Sequence, residues 1–131
     1  MKILIVIALA FVTFFACSKS DREFSADSLL GNWKEYEAYM DPGDGSGVYQ
    51  PIDGIVLSIN SDSTYTCSPE HYAWGKNGKI SLVNDSTISI NSNQSTTDFP
   101  ATFRKQNNVL ELRYFCIEGC GSKFRKGNSG N

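Results

Sequence analysis

The cysteines and the single histidine are the residues of this sequence whose side chains could carry chemistry. The chain of 131 residues contains four cysteines and one histidine. Cys67 and His71 could together offer two metal ligands, but they flank Pro69, and no second pair follows at ligand spacing. No serine lies in a nucleophile-elbow motif, and no two carboxylates are placed for acid/base chemistry. We therefore expect no enzyme and no metal or cofactor site, with His71 on the surface or at a rim.

The acidic, glycine-rich stretch Asp41-Pro42-Gly43-Asp44-Gly45-Ser46-Gly47 raises the question of calcium or phosphate binding. Its two aspartates lie three positions apart, without the alternating acidic residues of an EF-hand loop. A phosphate site would need a following lysine and a helix N-terminus, whereas Val48-Tyr49-Gln50-Pro51 follows. We interpret the stretch as a mobile loop whose glycines permit positive φ.

Two cysteines near the end of the chain, Cys116 and Cys120, enclose only Ile117-Glu118-Gly119. A disulfide across so small a ring would stabilise the fold by about 2 kcal/mol on the chain-entropy estimate. No thioredoxin-like pattern surrounds the pair, so we expect a structural disulfide that leaves Cys67 as a free, buried thiol. A bond between Cys67 and Cys116 is the competing arrangement.

The N-terminus has the pattern of an export signal. Lys2 precedes an apolar run from Ile3 to Phe15, and the small residue Ala16 lies directly before Cys17. As a helix the run would reach about 20 Å, short of a bilayer core of about 30 Å, so a permanent transmembrane anchor is not expected. A cysteine at the cleavage point can take a diacylglyceryl group on its thiol, and Phe14-Phe15-Ala16-Cys17 resembles such a lipobox. We expect Cys17 to be the lipidation site.

These features divide the chain into four parts. Residues 1–16 are expected to be the signal peptide, 17–28 a lipidated polar tether, 29–126 one folded domain and 127–131 a disordered tail. The formal net charge is −2, and the basic residues are scattered rather than clustered. Nucleic acid is therefore not an expected partner. We expect a monomer of the bacterial cell envelope, attached to a membrane through its lipid, with the outer membrane favoured.

The folded part is predicted to consist of short β-strands. From Leu29 onward, apolar residues recur with period two in short runs that polar turns separate. Ser68-Pro69-Glu70 is expected to break one strand, and Lys76-Asn77-Gly78 is a hairpin signal. Eight or nine consecutive strands form an antiparallel meander, which best removes its exposed edges by closing. The prediction is an all-β, up-and-down barrel of about eight strands.

The first strand presents a conflict of parity. If Trp33 points inward, strict alternation also buries Glu35 and Glu37, and burying unpaired carboxylates costs several kcal/mol. A bulge near Lys34 or Glu35 would instead place Trp33 on the same side as Tyr36, Ala38 and Met40. We expect that bulge, with Trp33 as a structural plug.

The start of this strand, Leu30-Gly31-Asn32-Trp33, resembles the Gly-x-Trp signature of lipocalin barrels. The Asp41–Gly47 loop, the Cys116–Cys120 segment and the closing Lys123-Phe124 strengthen the match. Together they resemble the small lipocalin-like domain of lipid-anchored bacterial proteins, over about Leu29 to Lys126. The resemblance implies an up-and-down barrel with structural roles for Gly31 and Trp33, and it implies little about a ligand.

The expected function of such a barrel is to bind a small hydrophobic or amphipathic molecule weakly, at the end opposite Trp33. Alternatively, it could be a packed barrel without a cavity that acts through protein–protein contacts. Eight strands are borderline between a filled interior and room for one small ligand. The side chains expected at a ligand are aromatic and inward-facing: Tyr65, Tyr72, Trp74, Phe103 and Tyr114.

Overall fold

The computed structural model describes residues 26–117 and 119–127. The expected signal peptide, the lipidation site Cys17, most of the tether and residues 128–131 lie outside the described residues. A 3-10 turn occupies Ala26–Leu29, so the last part of the expected tether belongs to the folded domain. The expected end of the domain at Lys126 coincides with the end of the last strand.

Nine strands account for most of the described chain. They are β1 (Gly31–Met40), β2 (Val48–Pro51), β3 (Val56–Ile59), β4 (Thr64–His71), β5 (Gly75–Asn84), β6 (Thr87–Ser92), β7 (Phe99–Gln106), β8 (Val109–Tyr114) and β9 (Cys120–Lys126). Alternating burial along β6 and β8 shows why these segments become strands, since every second side chain enters the core.

The strands form a closed antiparallel barrel. Strands β3 to β9 pair consecutively, and β1 pairs with both β3 and β9, which closes a ring of eight strands. Strand β2 is the extra one: it pairs with the second half of β1, while β3 pairs with the first half. The predicted all-β, eight-stranded meander barrel is therefore confirmed. Closure leaves the ring without a free edge.

One end of the barrel is closed by Leu29 and Trp33, which are both buried. The indole Nε1 of Trp33 donates to the carbonyl of Leu29 at 2.7 Å, and Lys126 Nζ lies 5.3 Å from the indole. Gly31 has φ of 111°, a conformation that side chains disfavour, which accounts for glycine beside the plug. The turns after β3, β5 and β7 share this end, which we call the Trp33 end.

The opposite end carries the remaining loops, because the strands alternate in direction. We call this end the rim, and its loops are residues 41–47, 72–74, 93–98 and the connection between β8 and β9.

The bulge predicted in β1 is present, but it lies further along the strand. Pairing with β9 is regular through Glu35 and resumes at Glu37, so that Tyr36 is the extra residue. The sequence predicts the bulge near Lys34 or Glu35, before the face that begins with Tyr36. Tyr36 is instead only half-buried, with the guanidinium of Arg125 4.2 Å from its ring centroid.

Because the bulge follows Glu35, that carboxylate keeps the inward parity of Trp33. Glu35 is buried, so the expectation that it could not face the core is wrong. Its Oε2 accepts a hydrogen bond from the Ile55 amide at 3.1 Å, which offsets part of the cost of burial. Gly54 makes room for it, since a Cβ there would lie 2.2 Å from the same oxygen.

The β4–β5 hairpin differs from the prediction. Ser68-Pro69-Glu70 does not end the strand, because β4 continues to His71 with an irregular pairing to β5. The turn is formed by residues 72–74, and Lys76-Asn77-Gly78 lies within β5 rather than at a hairpin tip. Glycine at position 78 allows the close approach of β6, since a Cβ there would lie 2.0 Å from the Asn91 carbonyl oxygen.

The cysteines pair as expected. Cys116 and Cys120 form a disulfide with a Cα–Cα distance of 5.7 Å, and Cys67 is a free, buried thiol. The competing bond between Cys67 and Cys116 is therefore not formed. The disulfide closes the loop between β8 and β9 at the rim.

Candidate functional site

Four of the five side chains expected at a ligand are part of the core. Tyr65, Trp74, Phe103 and Tyr114 are buried, whereas Tyr72 is 75% exposed. The inward placement of Tyr72 is wrong because this residue lies in the turn after β4, outside the strand alternation. The rim half of the interior is therefore occupied by aromatic rings that contact one another, with Trp74 4.7 Å from Tyr114.

His71 lies at the centre of this aromatic group. Its ring stacks on Trp74 at 3.5 Å with an interplanar angle of 6°, and on Tyr72 at 4.6 Å. His71 ends β4 at the rim, but only 3% of it is exposed, so of the two expected positions the surface is wrong. Positions 65, 67 and 71 share one parity, and this signal would have placed His71 inward if β4 had been extended through Pro69.

The polar atoms of this group form one hydrogen-bonded network. The Ala73 amide donates to Nδ1 of His71 at 3.1 Å, so in the neutral ring the proton is on Nε2. That nitrogen lies 3.3 Å from the Tyr114 hydroxyl, which also contacts Ser122 Oγ at 3.1 Å. The exposed Tyr72 contributes its hydroxyl, 3.0 Å from that of Tyr114. Each buried polar group of the network therefore has a partner.

Burial keeps this network uncharged. It lowers the pKa of His71 to about 4 and raises the pKa of Tyr114. At neutral pH the ring of His71 therefore acts as a hydrogen-bonding and stacking group rather than as a cation. Neither the buried histidine nor Ser122 was anticipated from the sequence as a member of this group.

Cys67 adjoins the same aromatic group and lies on β4, the strand that also carries His71. The indole Nε1 of Trp74 donates to its Sγ at 3.3 Å, and burial raises the pKa of the thiol to about 11. The Tyr65 hydroxyl donates to the carbonyl of Trp74, and this bond attaches the turn of residues 72–74 to the core. A thiol protonated at neutral pH is a poor nucleophile, so Cys67 serves here as a packing and acceptor group.

The exposed apolar side chains of the described chain concentrate at the rim. Ile117 is 99% exposed, Phe115 is 83% exposed, and Met40 and Val48 are also exposed. Tyr72 adds a fifth exposed side chain at the same end. Of the large exposed hydrophobic residues that the structure describes, Val83 alone lies toward the Trp33 end. Exposed apolar side chains gathered in one region are typical of an interaction surface.

A groove of about 510 Å³ opens between two of the rim loops. The wall on one side is formed by Tyr39, Met40 and Asp41, and the wall on the other side by the disulfide loop with Ile117. Asp41 is fixed by its own loop, since its Oδ1 accepts from the Gly43 amide at 2.8 Å and the Gly45 amide at 3.2 Å. We call this feature the rim groove.

The outer wall of the barrel below the groove carries a satisfied polar network. Tyr49 donates to Glu111 at 2.7 Å, and Arg113 forms an ion pair with the same carboxylate at 2.9 Å. Lys123 pairs with Glu37 at 2.7 Å and lies 3.9 Å from the centroid of the Tyr49 ring. Tyr49 belongs to β2, so its contacts with Glu111 and Lys123 hold this strand against the barrel.

Metal sites, membrane spans and similarity to known proteins bear on the class of protein. Among residues 26–117 and 119–127, no group of three or more His, Cys, Asp and Glu side chains could hold a metal ion. In the same part of the chain, no helix has the length and apolar character to cross a membrane. No protein-family model matches the sequence, and no curated protein matches it. By its strand pairing the protein is a closed antiparallel barrel of eight strands with one additional strand.

Proposed function

We propose that this chain is a lipid-anchored, lipocalin-like protein of the bacterial cell envelope that binds a protein partner at its rim. The observation that carries the proposal is the concentration of exposed apolar residues there, with Phe115 83% and Ile117 99% exposed. Complete burial of an isoleucine side chain contributes about 1.5–3 kcal/mol of favourable free energy. A partner that covers Ile117 would therefore be bound more tightly by up to this amount.

The packing of the interior favours this function over a ligand inside the barrel. The side chains expected to line a ligand site are all buried in the core, and Trp74 lies 4.7 Å from Tyr114: Tyr65, Trp74, Phe103 and Tyr114. A small apolar molecule would have to displace rings that already fill space and satisfy hydrogen bonds. We therefore rank the protein–protein function ahead of the interior ligand.

The geometry of the proposed anchor supports the same function. The described chain begins at the 3-10 turn Ala26–Leu29, which caps the Trp33 end. A lipid on Cys17 would attach through the short segment before this turn. The Trp33 end would then be the one nearest the membrane, and the rim would be presented to the surrounding compartment.

The anchor is tested by mass spectrometry of membrane-extracted protein, which we expect to show an acylated N-terminal Cys17. The Cys17→Ser variant should lose the acyl mass and leave the membrane fraction. An unmodified mature chain with a different first residue would refute the anchor.

The partner function is tested by photocrosslinking in cells. A photoreactive phenylalanine analogue at position 117 probes the rim, and the same analogue at position 83 probes an exposed apolar position toward the other end. We expect discrete protein adducts from position 117 and none of the same mass from position 83. Equal adducts from both positions, or none from 117, would refute the partner function.

The interior ligand is tested in parallel by fluorescence titration of the Trp33→Phe and Trp74→Phe variants with fatty acids, sterols and an apolar dye. Saturable changes confined to Trp74 emission would favour the ligand instead. The absence of any change would support the packed barrel.

A further inference from the structure

The rim groove combines apolar walls with an acidic margin. Met40, Ile117 and the disulfide contribute apolar surface, while Asp41 contributes a carboxylate to the lining. Asp44 lies three residues further along the same loop and is exposed. A segment that fills the groove would therefore meet apolar surface and negative charge together.

The charge of the rest of the rim has the same sign. Asp44, Glu70 and Asp98 are exposed at this end, and Asp41 is half-buried. The basic side chains near them are Lys76 and Arg113, and Arg113 lies 5.6 Å from the Tyr39 ring but is paired with Glu111. The described salt bridges all lie on the barrel wall, and none of them uses these four carboxylates. Their charge is therefore available to an incoming partner.

We infer that the rim groove binds a polypeptide segment in which an apolar or aromatic side chain is flanked by lysine or arginine. This inference deepens the proposed protein–protein function and rests on it. The apolar side chain would enter between Met40 and the disulfide loop, and the flanking cations would approach Asp41 and Asp44. Opposite charges at the margin raise the association rate and select against acidic segments.

Two properties of the loop 41–47 support a preformed site. Asp41 Oδ1 accepts two amide hydrogen bonds from its own loop, and Asp44 Oδ1 accepts one from Ser46 at 2.9 Å. These bonds orient both carboxylates before a partner arrives, which reduces the ordering cost of binding. The bonds from Ser46 also hold the pKa of Asp44 below its ordinary value, so this carboxylate stays charged at neutral pH.

An anionic lipid surface is a less suitable occupant of the same rim. The four rim carboxylates would be repelled by acidic headgroups, which attract basic segments instead, and of the nearby cations Arg113 is already paired with Glu111. The exposed Phe115 and Ile117 could in isolation suit a membrane. The charge around them favours a cationic polypeptide.

The test uses the exported, lipid-bearing chain in nanodiscs of neutral lipid and a fluorescent synthetic peptide with a Leu-Trp-Leu core flanked by lysines. A matched peptide carries glutamates in place of the lysines. We expect the lysine peptide to bind and the glutamate peptide to bind at least about tenfold more weakly, with affinity for the lysine peptide falling as salt rises.

Three variants separate the apolar and electrostatic contributions. Ile117→Ser removes the exposed apolar side chain and should lower the affinity for the lysine peptide about tenfold or more. Asp41→Asn keeps the Oδ1 acceptor for the loop amides but removes the charge, and it should weaken binding several-fold and reduce its salt dependence. Val83→Ser is the matched control, because it removes an exposed apolar residue toward the opposite end and should leave binding unchanged.

Equal binding of the two peptides, or an equal effect of Val83→Ser and Ile117→Ser, would overturn the inference. Binding to phosphatidylglycerol vesicles that Ile117→Ser abolishes, without peptide binding, would overturn it in favour of a membrane. The crosslinking experiment tests the partner function independently of these peptide measurements. Adducts from position 117 without charge preference would retain the partner function and reject only the cationic segment.

Discussion

Acidification from pH 7.5 to pH 5 should destabilise the barrel through His71. Burial lowers the pKa of this histidine to about 4, against 6.5 for an unperturbed side chain. Between these two values the unfolded chain binds a proton that the folded chain does not. The free energy of unfolding therefore rises with pH over this range, and it falls as the pH is lowered from 6.5 towards 4.

The size of this effect follows from the two pKa values. Linkage gives a loss of about 2 kcal/mol between pH 7.5 and pH 5, and about 3 kcal/mol once the pH is below 4. The geometry explains the shift, since His71 lies between Trp74 and Tyr72 and accepts a hydrogen bond from Ala73 at Nδ1. Protonation would place a hydrogen on that acceptor and a charge between aromatic rings in the core.

The measurement is urea unfolding at pH 7.5 and pH 5 for the natural chain and for His71→Phe. Phenylalanine keeps a planar ring against Trp74 but cannot titrate, so its unfolding free energy should lose about 2 kcal/mol less on acidification. The carboxylates are common to both proteins, and their contribution cancels in the comparison. An equal loss in both proteins would refute the assignment of a depressed pKa to a buried, neutral His71.

Three further predictions test the packing. Gly54→Ala should lower the free energy of unfolding by about 1–3 kcal/mol, because the new methyl group would meet the buried Glu35 carboxylate at 2.2 Å; retained stability would show that Glu35 moves freely. Replacing both Cys116 and Cys120 by serine should cost about 2 kcal/mol in urea unfolding, and reduction of the natural chain should reproduce that cost. Cys67 should resist an aromatic disulfide reagent at pH 8 and react on unfolding, because burial raises the pKa of its thiol to about 11; rapid reaction in the folded state would contradict its burial.

The fold class could be predicted because alternation of apolar residues is a local property of the strands. Ile80 pairs with Ile90 and Leu82 with Ile88, and these apolar residues alternate on either side of a short polar turn. The inward orientation of Trp33 could also be predicted, because a large apolar residue at the start of the first strand is expected to face the core. These elements required no knowledge of distant contacts.

The positions of Glu35 and His71 depended on contacts from distant segments. Alternation pointed Glu35 inward, and the energetic objection failed because the Ile55 amide, supplied from the segment before β3, satisfies the carboxylate. His71 shares the parity of Cys67, but the proline between them indicated the end of a strand that in fact continues. In both cases the alternation of side chains predicted the inward position correctly. The cost of burying a carboxylate and the tendency of proline to end a strand predicted it wrongly.

The interior of the barrel has two different halves, and this difference explains why the rim can carry a function. Toward the Trp33 end the core is apolar, with Leu29, Trp33, Ile59 and Leu110 buried. Toward the rim it contains hydrogen-bonded polar groups centred on His71. Burial of these apolar side chains stabilises the fold in the Trp33 half without a contribution from the rim loops. The rim loops can therefore carry exposed residues such as Ile117. Replacement of Ile117 by serine should alter binding while leaving the free energy of urea unfolding within about 0.5 kcal/mol of that of the natural protein.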